Sequence, residues 1–138
     1  MSELVRLSFS IEKPLLERFE RIRRASRYTN RSEFVRDMLR DRLVEQQWEG
    51  DEEVLGTVTL VYNHHFRRLS EKLTDLQHGF HSVVLATTHV HLDKRMCAEM
   101  ILCRGRPKEI RQIADLLRQQ KGVLDAALSM SSTGKHLG

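Results

Sequence analysis

The residues with most chemistry to offer are His89-Val90-His91 and Cys97. Side chains two apart on a strand share a face, so both imidazoles point one way. Asp93-Lys94-Arg95 reads as a three-residue hairpin loop. Such a loop pairs Leu92 with Met96, His91 with Cys97 and His89 with Glu99, and residues directly opposite each other share a face. Two imidazoles and a thiol then converge, and a slip of one residue would send Cys97 to the other side. His78 is a fourth candidate, just past the helix that precedes this strand. From residue 82 to residue 89 a strand rises about 23 Å, which keeps His78 from the site of its own chain. A second copy, with its strand antiparallel across a two-fold axis, would bring its own His78 close. Three imidazoles and a thiolate suit late divalent ions such as Ni(II), Cu(II) or Zn(II); planar geometry favours the first two and tetrahedral geometry the third. The spacing leaves that choice open. It also leaves open a plainer reading, with His89 and His91 on a polar strand face and Cys97 a small buried apolar residue.

The elements that must position these residues follow from periodicity. Residues 54–62 are β-branched and strand-like; Phe66, Leu69, Leu73 and Leu76 mark a helix. Residues 82–92 and 96–104 are the two hairpin strands, Ile110, Ile113, Ala114 and Leu117 mark a helix stopped at Gly122, and 123–130 close with a strand. The order β-α-β-β-α-β is ferredoxin-like and contains an approximate internal repeat. The remaining candidates are plainer. His64-His65 reads as a solvated helix start in preference to a supporting group. His81 is either a surface residue or an accessory ligand, His136 lies in a Gly/Ser-rich tail, and Cys103 is core or interface.

Ahead of this region lies a different unit. Apolar residues at 5, 7, 9 and 11 alternate with Arg6, Ser8 and Ser10, the pattern of a short strand with no partner nearby in its own chain. Pro14 opens a helix carrying Leu15, Leu16, Phe19 and Ile22. Asn30, with Glu33 three residues on, opens a second carrying Phe34, Val35, Met38, Leu39 and Leu43. From Arg18 to Arg42 there are nine arginines against four acids, so this segment holds the whole positive excess of a chain whose net charge is +4. A two-stranded ribbon built from two copies fits a DNA major groove, with Arg6, Ser8 and Ser10 outward and the arginine-rich helices against phosphates. The same pattern also fits a dimerisation module with solvated helices. The expected organisation is residues 1–48 as a strand–helix–helix unit, 49–53 as an acidic linker, 54–132 as the second domain and 133–138 as a flexible tail.

The whole chain has 138 residues, 30% charged and 40% hydrophobic, which suits one ordinary domain or two very small ones and excludes a disordered chain. Its longest apolar runs fall far short of the roughly 20 residues of a membrane span. The first residues show no basic-then-apolar leader pattern, so a cytoplasmic product with two free or metal-bound cysteines is expected.

Taken together, Arg6-x-Ser8-x-Ser10, Tyr28-x-Asn30-Arg31-Ser32-Glu33-x-x-Arg36-Asp37, Gln77-His78, His89-x-His91 and Cys97-x-Glu99 resemble the NikR nickel-responsive repressors over residues 4 to 130. The resemblance implies an α+β chain. An N-terminal ribbon-helix-helix, with a β-ribbon swapped between two chains, precedes a ferredoxin-like, ACT-like metal-binding domain, and the whole assembles as a homotetramer (a dimer of dimers). It implies one Ni(II) per chain in a square-planar site of His89, His91 and Cys97 from one chain and His78 from another, supported by Gln77 and Glu99. It places Arg6, Ser8 and Ser10 at the base-reading positions on a palindromic double-stranded DNA operator. It gives Glu33 and Asp37 to a secondary cation site, often filled by potassium (K+), between the domains. It implies repression of nickel-uptake genes when nickel is plentiful. Three departures stand out: Gly79-Phe80-His81 replaces a histidine run of some relatives, Ser8 and Ser10 stand where Thr is common, and Arg27 stands where Gly is common.

Two other functions compete. One is a repressor of the same architecture whose second domain senses a small molecule. The other is a metal-dependent enzyme using His-x-His; it needs an open coordination position, which four protein ligands would not leave.

Overall fold

A computed structural model of the chain describes residues 2–138. They divide into two compact units: residues up to Leu43 with 136–138, and Val44–Lys135.

In the first unit, α1 (Lys13–Ala25) carries Pro14 in its first turn, where a missing N–H costs nothing, and α2 (Arg31–Glu49) follows after a short turn. The turn has two devices. Asn30 Oδ1 accepts hydrogen bonds from the backbone N–H groups of Ser32 (2.8 Å) and Glu33 (3.3 Å), capping α2. At the end of α1, the Tyr28 N–H donates to the Arg23 carbonyl and the Arg27 N–H to the Arg24 carbonyl, with Arg27 at φ 64°. That is a Schellman closure with arginine in the left-handed position that glycine usually fills. Phe34 is buried and packs its ring against Phe19 and Tyr28, with centroids 5.3 and 5.0 Å away. Residues 4–11, expected as a strand, form no ladder among the described residues. A ladder takes two strands, and none of the described residues pairs with this segment. Leu4, Val5, Leu7 and Phe9 are all exposed, Leu7 at 84%.

The second unit has the expected ferredoxin-like order. It comprises β1 (Val54–Asn63), α3 (Leu69–Gly79), β2 (Val84–His91), β3 (Met96–Gly105), α4 (Pro107–Arg118) and β4 (Val123–Ser131). The sheet is antiparallel in the order β2-β3-β1-β4, so β1 and β3 are central and β2 is an edge. Alternate residues of the central strands (Val54, Val58, Leu60 and Tyr62 from β1; Cys97, Ile101 and Cys103 from β3) are buried together with Leu69 and Leu73 of α3 and Ile110, Ile113 and Leu117 of α4. Each such aliphatic side chain contributes about 1.5–3 kcal/mol of transfer free energy. The last turns of α2 also belong to this unit: Trp48 is buried and its Nε1 donates to the Ser131 carbonyl at 2.8 Å. Gly56 leaves the room for this ring, since a Cβ there would stand 3.0 Å from both Trp48 and Ile110. The carbonyls of Lys135 and Leu137, in the terminal segment, accept hydrogen bonds from Gln47 and Arg40 respectively.

Candidate metal centre

The β2–β3 hairpin sets the site. Its loop is fixed by Asp93, whose carboxylate accepts the N–H groups of Arg95 (2.7 Å) and Met96 (2.8 Å), while the Leu92 N–H donates to the Met96 carbonyl (2.8 Å). Those two backbone donors hold the Asp93 carboxyl below its ordinary value. The register is the expected one, with His91 opposite Cys97 and His89 opposite Glu99. Cys97 Sγ lies 3.4 Å from His91 Nδ1. The His89 and His91 rings have centroids 5.2 Å apart. Cys97 is fully buried, whereas His89 and His91 are exposed on the edge strand. Burial pushes the Cys97 thiol up, and the negative charges of Glu99 and Asp93 add to this. Metal would therefore displace a proton on capturing the sulfur.

Behind this face Glu99 is buried in a hydrogen-bond network. It accepts the Tyr62 hydroxyl on Oε1 (3.1 Å) and the Gln77 amide on Oε2 (2.7 Å), and Thr87 donates to Gln77 Oε1 (2.6 Å). His89 Nδ1 stands 3.6 Å from Glu99 Oε1. Burial, followed by the Glu99 charge, pushes the Tyr62 phenol up to about 12, so it stays a donor throughout the ordinary pH range. The network ties the last turn of α3 to β1, β2 and β3. His78, next to Gln77, is exposed at the end of α3 and lines an open groove with His81, Leu85 and Thr87. It is not among the donors gathered around Cys97.

The structure adds one donor that the sequence reading gave to solvent. His64 follows β1, and its backbone N–H donates to the Arg95 carbonyl (2.9 Å), so it sits beside the hairpin end. One ligand atom each from His64, His91 and Cys97 lies within 4.8 Å of the others. His64 is half-buried, its ring is 5.3 Å from that of His91, and its Nδ1 is buried without a hydrogen-bond partner. The signal was weak in sequence because His64 and Cys97 are far apart along the chain; they meet only because β1 pairs with β3.

The DNA-directed candidates Arg6, Ser8 and Ser10 are exposed on the unpaired segment. The carboxylates of Glu33 and Asp37 lie one turn apart on α2 and are already engaged. Glu33 pairs with Arg36, and Asp37 pairs with Arg40 (3.0 Å) and accepts the Tyr28 hydroxyl (2.6 Å). A potassium ion there would compete with two guanidinium groups. No helix among the described residues is long and apolar enough to cross a membrane.

Comparison with known proteins agrees with this two-part organisation. Residues 5–46 match the family described as ribbon-helix-helix protein, copG family, and residues 55–131 match the NikR C terminal nickel binding domain. The chain is 50% identical over 138 residues to a protein of Geobacter metallireducens named "Putative nickel-responsive regulator", covering 99% of both. It is 48% identical, with the same coverage, to a protein of that name from Solibacter usitatus. Among solved structures, an uncharacterized protein from Thermotoga maritima superposes with a TM-score of 0.52 at 16% identity, covering 57% of this chain and 98% of that one, which is a likeness of fold.

Proposed function

Because the chain belongs to the NikR family, with a copG-type ribbon-helix-helix unit ahead of a NikR C-terminal domain, we propose that it is a nickel-responsive DNA-binding regulator. In this reading it represses nickel-uptake genes in the cytoplasm when Ni(II) is bound. The observation that carries the reading is the Cys97 Sγ–His91 Nδ1 pair at 3.4 Å. A thiolate and an imidazole opposed on a fixed hairpin, with His89 one pleat away, are a donor set suited to Ni(II). His89 and His91 are open to a second copy along edge strand β2, and His78 of that copy supplies the fourth ligand. Gln77 and Glu99 hold the ends of α3 and β3 in place around it. In the homotetramer each metal site then joins two subunits, so loading it favours one arrangement of the DNA-binding units.

The exposed apolar residues of segment 4–11 are covered when two copies pair as a ribbon, which presents Arg6, Ser8 and Ser10 to base edges of a palindromic operator. The arginines of α1 and α2 take phosphates, and the capped N-terminus of α2 offers backbone donors. By linkage, metal must raise operator affinity by the factor that operator raises metal affinity.

The test is operator affinity with and without Ni(II) at fixed salt, because phosphate contacts make affinity salt-dependent. Tighter binding with nickel supports the reading; equal affinities overturn it. Absorbance during nickel titration adds a direct readout, a thiolate-to-Ni(II) charge-transfer band saturating at one metal per chain. The band disappears and the response is lost in Cys97→Ala, whereas a small-molecule sensor would keep its response in that variant.

A further inference from the structure

Glu20, on α1, stands between two arginines and uses them differently. Arg23, one turn on, donates Nε (3.2 Å) and Nη2 (2.5 Å) to its Oε2 and Nη1 to the Tyr28 carbonyl (2.7 Å). All three nitrogens of that guanidinium are engaged, and only 14% of the side chain is exposed. Arg31, the first residue of α2, donates Nε to the other carboxylate oxygen at 2.7 Å, and its side chain is 65% exposed. Its two Nη groups are left open to solvent. Arg36–Glu33 and Arg40–Asp37 join residues one turn apart on α2, whereas Glu20–Arg31 ties one helix to the start of the other. The hydrogen bond from Arg23, with that from Arg31 behind it, holds the Glu20 carboxyl below its ordinary value, so the acid stays charged.

A guanidinium held through Nε presents its Nη groups as a fixed planar fork, the shape that matches two oxygens of a phosphate. The fork stands at the first turn of α2, where the backbone dipoles favour an anion. A free arginine loses its rotamer freedom on meeting a phosphate, and restraining it beforehand removes that loss from binding. The same carboxylate offsets part of the arginine's charge, so any benefit it brings is geometric.

We propose that Glu20 is a positioning residue for DNA binding, touching no DNA itself but holding the Arg31 guanidinium with both Nη groups ready for a backbone phosphate. Arg23 is the covered partner that fixes Glu20 and the turn. An acid of a basic unit thus favours binding of a polyanion, opposite in sign to what its charge alone gives. This role rests on the DNA-binding reading above.

The test is a double-mutant cycle on the full nickel-loaded chain: unaltered, Glu20→Gln, Arg31→Ala and the two combined. The probe is a duplex selected from random-sequence DNA by the unaltered nickel-loaded chain, and affinities are measured over a range of salt. Arg31→Ala is expected to weaken binding and to reduce the log-affinity against log-salt slope by about 0.9, the share of one phosphate. That loss is expected to be at least about fivefold larger with Glu20 present than in Glu20→Gln, where Arg31 is already unrestrained. Long-range charge effects of Glu20→Gln and any loosening of the Arg23–Tyr28 turn are common to both backgrounds and cancel. A direct charge offset gives the opposite sign, because Glu20 would then blunt Arg31. An equal or smaller loss therefore overturns the proposal, as does an unchanged salt slope in Arg31→Ala. Circular dichroism checks folding, and Arg31→Lys is the second variant if Glu20→Gln does not fold. It keeps the charge and leaves Glu20 and Arg23 in place, but one ammonium cannot bond the carboxylate and present a fork as well. Binding weakened by at least about fivefold with the salt slope kept is expected there, and full affinity overturns the proposal. A chain that selects no duplex overturns the DNA-binding reading and this role with it. A chain that selects one but shows no coupling between Glu20 and Arg31 overturns this role alone.

Discussion

Cys97 and His91 face each other across the β2–β3 ladder with Sγ 3.4 Å from Nδ1, close enough to share one ion. The sulfur is buried beside Glu99 and its thiol is pushed up from the ordinary value of 9.0. Capturing a metal therefore releases a proton. Below the thiol's titration, apparent Ni(II) affinity should rise by about tenfold per pH unit for that one proton. Chelator competition between pH 6 and 8 measures the slope; a flat profile would mean that sulfur is not a ligand.

The Glu99 carboxylate satisfies two buried donors, the Tyr62 hydroxyl and the Gln77 amide. Glu99→Ala removes the acceptor of the Gln77 amide, at about 1–3 kcal/mol, and leaves the Tyr62 hydroxyl with Ser70 alone. It also frees the end of α3, so nickel affinity should fall by about 10–100-fold, as when outer partners of metal ligands are removed. Chemical denaturation and metal competition on one preparation separate the two effects.

Arg27 holds φ 64° at the turn between α1 and α2. A non-glycine residue there carries a left-handed penalty that glycine avoids, so Arg27→Gly should stabilise the first unit by about 1 kcal/mol. Thermal unfolding checks it: a lower midpoint would show that the arginine side chain outweighs the backbone strain.

Gly122 ends the turn into β4 at φ 103°, and a Cβ on it would lie 2.8 Å from the Phe66 ring and 2.9 Å from Leu69. Gly122→Ala adds strain to a clash with packed side chains, and should cost about 2–4 kcal/mol. The cost should appear in unfolding of the second domain.

Tyr28 donates to Asp37 at 2.6 Å. That hydrogen bond lowers the Asp37 carboxyl below 3.8 and raises the Tyr28 phenol above 10.0. For Asp37 the stabilisation is present above its unfolded value and lost as pH falls through the lowered folded one. For Tyr28 it is present below its unfolded value and lost as pH rises through the raised folded one. The pair therefore contributes between about pH 4 and pH 10. Tyr28→Phe should move the Asp37 titration back towards its ordinary value, visible by carboxyl NMR, and shallow the acid-side loss of stability.

The local part of the site was legible because a hairpin is a short-range object. Three loop residues from Asp93 to Arg95 set the pairing, and period-2 alternation then fixed that His89, His91, Cys97 and Glu99 share a face. The same local logic gave the β-α-β-β-α-β order and the two helices of the first unit. The alternation at residues 4–11 is strand-like, but a ladder needs two strands and none of the described residues pairs with this segment.

Sequence by itself determined residue types, periodicity and register, since these depend on neighbours a few positions apart. Tertiary structure decided which distant segments meet. The order β2-β3-β1-β4 places β1 against β3, and only that non-local pairing carries His64 to Cys97 and Tyr62 to Glu99. Burial then gave those contacts their chemistry. A histidine that looks solvated along the chain turns out to have a buried nitrogen without a hydrogen-bond partner, and an ordinary strand glutamate becomes the acceptor that organises the ground beneath His89 and Cys97.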